Sequence, residues 1–253
     1  MQRSHCLALG VWLASRGGIV AVGFAISALG ALASIGALVA FGAAPGHGAT
    51  RVPALTAQLV AWGSGVTIAF GGALHAARRD RDEGVTALLR ARGVTAAAYV
   101  QGRVGGLAIV VAAAVAGPTL VAALAATSFA RPVLPVVRAS LGALAYALAF
   151  AATIAPVAMA TLGARTRAGG YLALVSVLVV PELLSPWTGA LLPRGWSELT
   201  SIPAALSAVG AGFTSPAGAA HLARALAGLG AIVAASLLVV AVRLPRSDAR
   251  GRA

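Results

Sequence analysis

Residues 78–103 read RRDRDEGVTALLRARGVTAAAYVQGR, a charged island that holds six of the nineteen arginines and three of the six acids. The residues on either side, 54–77 and 104–127, carry no charge at all. At about 1.5 Å of rise per residue each run is long enough to cross the roughly 30 Å of hydrocarbon in a bilayer. Similar runs recur at 18–41, 139–163, 169–185 and 225–242. Of the 253 residues, 59% are hydrophobic and only 10% are charged, against about a quarter in a soluble domain. These features predict an all-α integral membrane protein. Its single domain, residues 1–253, holds six transmembrane helices, with the charged island between the second and the third.

The sign and placement of charge predict its orientation. With the N-terminus inside, every arginine but Arg51, Arg131, Arg138, Arg194 and Arg224 falls on the cytoplasmic side, the asymmetry of the positive-inside rule. Both termini are therefore expected in the cytoplasm. The excess of +13 is accounted for by this topology, and without interleaved aromatics it does not point to nucleic acid. The basic opening with its short apolar stretch Leu7–Ala14 lacks a small-residue cleavage pattern and is expected to be a retained cytoplasmic lead-in. There is no lysine. A phosphate-binding loop of the G-x-x-x-x-G-K type and Schiff-base chemistry are thereby excluded on this chain. Arginine in place of lysine, together with the alanine excess, fits a GC-rich prokaryotic genome and hence a prokaryotic plasma membrane. His5, His47, His75 and His221 are scattered, and with Cys6 as the sole cysteine no metal motif can be assembled.

Inside the island, Asp80 and Asp82 are suited to cap a short helix, with Glu83 in its first turn, Arg90 and Arg92 in its last, and Gly93 as a stop. Val85, Leu88 and Leu89 then share a narrow apolar face. Burying such side chains is worth about 1.5–3 kcal/mol each. Three partners for that face are open: another protein chain, the span ends of this chain, or the lipid surface.

Beyond the fifth run, residues 186–224 are too apolar for a solvated loop and too interrupted, at Pro193, Pro203 and Pro216, to span. Short helices dipping into the outer half of the membrane are expected here, with a compact surface loop as the alternative. Glu182, in Pro181-Glu182-Leu183-Leu184-Ser185-Pro186, is the one acid in an expected span. An intramembrane carboxylate is a candidate for a substrate or proton pathway. The flanking prolines also predict a helix break, where Glu182 would take hydrogen bonds from freed backbone groups or pair with Arg194. Trp62-Gly63-Ser64-Gly65 and His221 raise an intramembrane serine protease, but tryptophan stands where that pattern wants glycine. Gly102 and Gly106 are a packing pair.

Two segments resemble the type-2 permeases of ATP-binding-cassette (ABC) transporters. In 80–94, Asp80, Gly84, Leu88 and Leu89 match the family's cytoplasmic coupling element; Val85 replaces its usual threonine and Arg92-Gly93-Val94 its proline-containing turn. PELLSPWTGALLPRGW, 181–196, is similar to the run that precedes the family's re-entrant outer hairpin. The order of elements agrees along the whole chain. The resemblance implies an exporter permease subunit with no catalytic residue and no cofactor of its own. A separate ATPase subunit, with its ATP and Mg, would dock on Asp80, Asp82, Glu83, Gly84, Val85, Leu88, Leu89 and Arg92. A second six-span subunit, a copy or a different chain, would complete the pathway. Rival expectations are a proton-coupled carrier using Glu182 and a structural subunit without transport.

Overall fold

The computed structural model describes residues 2–41, 48–82, 94–129, 133–162, 167–191, 201–215 and 218–246. Among these residues there is no strand. The chain begins with α1 (Gln2–Ala14) and α2 (Gly18–Phe41). A second long rod follows, built from α3 (Gly48–Val60), a π-helical turn (Ala61–Gly65) and α4 (Val66–Asp82). Next come α5 (Ala96–Phe129), α6 (Val133–Leu162) and α7 (Arg167–Leu191). The short α8 (Ile202–Ala211) and the long α9 (Gly218–Arg246) complete it. Among the described residues, six helical stretches are long and apolar enough to cross a membrane: α2, the α3–α4 rod, α5, α6, α7 and α9. The described residues thus agree with the expected all-α membrane protein, with six helices of spanning length and apolarity. The helices outrun the apolar runs, so Arg51 and Arg224 lie in helices and not in the loops before them.

Close contacts fix the helix directions. Gly23 faces Ile68, Gly30 faces Val60 and Gly71 faces Ile19, so α2 and the α3–α4 rod are antiparallel. Gly65 against Val115 and Gly72 against Leu107 make the rod antiparallel to α5 in turn. A side chain at any of these glycines would strike a neighbour, which is why small residues crowd the spans. Hydroxyls add cross-links between helices: Ser27 Oγ donates to the Ala114 carbonyl at 2.6 Å, and Ser34 and Thr56 share a bond of 2.6 Å.

At the centre lies α6. Phe150 is fully buried and meets Trp62 of the π-helical turn edge to face, with centroids 5.5 Å apart. Gly65 is what admits it, since a Cβ there would sit 2.6 Å from the Phe150 ring. The outer helices bury little: only 22%, 11% and 17% of the apolar windows of α2, α7 and α9 are covered. Leu29, Leu32, Leu172, Leu183 and Leu238 are each about two-thirds exposed. Apolar surface on that scale needs lipid or another chain against it.

Two expectations are corrected. Helix α7 runs without interruption through Pro181 and Pro186, where a break was expected. Proline likewise sits inside α3, α5 and α6. Proline interrupts helices readily in water; in an apolar setting an unwound peptide has no solvent partner, so the helix is retained. Secondly, Asp80 and Asp82, expected to cap a short helix, lie in the last turn of α4.

Candidate functional site

The charged island is rooted in a buried polar cluster. Asp80, near the end of α4, is 5% exposed, and Arg103, in α5, is 8% exposed. The Arg103 guanidinium donates to one Asp80 carboxylate oxygen in an ion pair, and the Tyr99 hydroxyl donates to the other. Both partners therefore come from one face of α5, four residues apart, as helical spacing requires. Arg103 also lies over the Tyr99 ring at 5.7 Å. A carboxylate so deeply buried is tolerated only because both oxygens are engaged and a full opposite charge stands beside it. The cluster ties together the two helices from which residues 83–93 emerge.

A third element closes over it. Helix α1 lies across α5, with Gly10 against the Gly102 carbonyl and Gly106 against the backbone of Gly10 and Val11. A Cβ on Gly102 would stand 2.7 Å from the Cys6 carbonyl oxygen. The Gly102/Gly106 pair is thus a packing pair, as expected, and its partner is the N-terminal helix. Gly17, at φ 145°, makes the turn that lets α2 leave α1.

Of the residues assigned to ATPase docking, Asp80 is turned into the bundle and Asp82 closes α4. Glu83, Gly84, Val85, Leu88, Leu89 and Arg92 lie outside the described residues, as does the expected short helix. Arg103 and Tyr99 were missed. An arginine at the head of an apolar run reads as a topology marker, and only the fold brings it to Asp80.

Glu182 has an exposed side chain on α7. Its Oε2 accepts from Ser201 Oγ at 2.6 Å, and the same Oγ accepts from the Ala204 amide at 3.1 Å, capping α8. The acid thus stands beside the positive end of a helix. Its expected partner Arg194 lies outside the described residues. Helix α8 packs on α6 and α9 and buries Ile202, Ala205, Leu206, Ala208 and Val209.

Ser64 forms no protease dyad: its buried Oγ has no hydrogen-bond partner among the described residues. No three of His, Cys, Asp and Glu come together among those residues either. A cavity of about 730 Å³ does open between α3, α6 and α8, with Arg51, Gln58, Arg138 and Tyr146 on its walls. No family model, curated protein or solved structure matches the chain.

Proposed function

We propose that this chain is the membrane-spanning permease subunit of an ABC exporter, driven by a separate ATPase that grips residues 83–93. One observation carries most of the weight. The two helices that flank the island are locked to each other at its root by the Asp80–Arg103 pair and Tyr99. Force applied to residues 83–93 would pass through this locked base into both α4 and α5, which is what force transmission needs. The absence of lysine supports the same conclusion, because any ATP energy has to come from another chain.

In this mechanism, closure of paired ATPases pushes the island on the cytoplasmic side. The push passes through α4 and α5 into the bundle, and two six-span subunits rock to expose the pathway on the outer side. Helix α8 and the turn into α9 form the outer, re-entrant hairpin. Val85, Leu88 and Leu89 supply the apolar contact, with Asp82, Glu83, Gly84 and Arg92 at its rim. Asp80 contributes by holding the base.

The test is tagged purification from native membranes with an assay of vanadate-sensitive Mg-ATP hydrolysis in the eluate. We expect activity to accompany the wild-type chain. Leu88→Asp with Leu89→Asp should reduce it to background at equal yield of the tagged chain. Equal activity in wild type and variant would refute docking through this face.

A further inference from the structure

We infer that the cavity between α3, α6 and α8 is a binding site for an amphiphile with an anionic headgroup, its charge held by Arg51 and Arg138. The inference starts from register. Trp62 donates to the Tyr146 hydroxyl at 3.0 Å across an offset of 84 residues. Three residues further along the rod Gly65 meets Phe150, four residues beyond Tyr146, so the α3–α4 rod and α6 run in the same direction. The same offset puts Arg51 level with Pro135, about one helical turn from Arg138. Both arginines therefore sit at one end of the cavity, on facing helices.

Nothing described neutralises them. The sequences of α3, α6 and α8 contain no acid. Neither guanidinium has a hydrogen-bond or ion-pair partner among the described residues, and both side chains are exposed. Two like charges at one end of a cavity repel, and an anion bridging them removes that repulsion. The planar, multi-donor guanidinium suits phosphate and carboxylate in particular.

Away from the arginines the walls turn apolar. Leu55 stands one turn beyond Arg51, and Ala139 and Ala143 follow Arg138 on α6. The volume is in the range of small-molecule sites. Gln58, Tyr146 and Ser207 are polar points on an otherwise mostly apolar lining; a charged end on such a lining matches an ionic head with a hydrocarbon tail, and matches a free inorganic anion poorly. Gly142 keeps the third wall in place: a Cβ there would lie 2.5 Å from the Gly210 carbonyl oxygen.

If the permease function holds, the site names the class of cargo. Binding is nevertheless read on this chain alone, so it passes or fails whether or not an ATPase docks. The purified chain in neutral detergent is titrated, under native mass spectrometry, with phosphatidylglycerol, phosphatidylcholine, dodecyl phosphate and inorganic phosphate. We expect at least one of the two anionic amphiphiles to bind about tenfold more tightly than phosphatidylcholine and inorganic phosphate. Preference for phosphatidylglycerol assigns the occupant to bilayer lipid, and preference for dodecyl phosphate assigns it to a single-chain amphiphile. Arg51→Gln with Arg138→Gln should abolish the preference. Arg51→Lys with Arg138→Lys should keep most of it, and Arg224→Gln, away from the cavity, should keep all of it. An unchanged preference in the double glutamine variant, or none in the wild type, overturns the inference.

Discussion

Asp80 is an acid in a buried position, 5% exposed, and the ion pair with Arg103 is what makes that tolerable. Removing one partner of a buried pair leaves the other uncompensated, at a cost of about 3–5 kcal/mol. Arg103→Leu is therefore expected to lower thermal stability sharply. Arg103→Leu combined with Asp80→Leu should recover a large part of the loss, since two apolar groups replace two charges. Melting curves of the two single variants and the double variant in one detergent check this; strictly additive losses would mean the pair is not coupled. At Glu182 the chemistry is milder. Glu182→Gln keeps an oxygen for Ser201 and should melt as wild type does. Glu182→Leu should cost about 1 kcal/mol as the link to the α8 cap is lost. A transport defect in Glu182→Gln with stability unchanged would instead favour proton coupling.

At the scale of the helix, what sequence pattern could and could not reveal has a physical cause. The first span, 18–41, is bounded by charge or glycine on both sides and agrees with α2 at both ends. Elsewhere helices extend past the apolar runs, because an arginine at the membrane edge does not unwind a helix. The prolines at 181 and 186 were misleading for the opposite reason: propensity learned in water exaggerates their effect in lipid. Glycine spacing at 102 and 106 announced a close crossing, but its partner α1 depends on tertiary contacts that no local pattern encodes. The crossing can be tested through Cys6, the sole cysteine, which faces it. Gly106→Leu would drive its side chain into the α1 backbone, an overpacking cost of about 1–3 kcal/mol. We expect maleimide labelling of Cys6 to accelerate by about tenfold as α1 lifts away; an unchanged rate would show that α1 is not held there.

For the molecule as a whole, composition already gave a helical membrane protein, because apolar runs of spanning length have few alternatives. The Asp80–Arg103–Tyr99 root and the Arg51–Arg138 cavity were not legible: each joins side chains from separate helices whose register the sequence does not state. Together they give the molecule two poles. At one, a charged island is braced by three helices; at the other, two arginines sit at an open cavity. The permease we propose would be driven at the first pole and loaded at the second.

The most direct test uses one cysteine in the island. In a Cys6→Ser background, Ala87→Cys is exposed to a membrane-impermeant maleimide in intact cells, in inside-out vesicles, and in those vesicles after salt or urea has stripped peripheral proteins. We expect no labelling in intact cells, slow labelling in untreated vesicles and fast labelling after stripping, as a docked ATPase uncovers the segment. Labelling in intact cells, or equal rates with and without stripping, would contradict the claim that a motor chain grips this element from the cytoplasm.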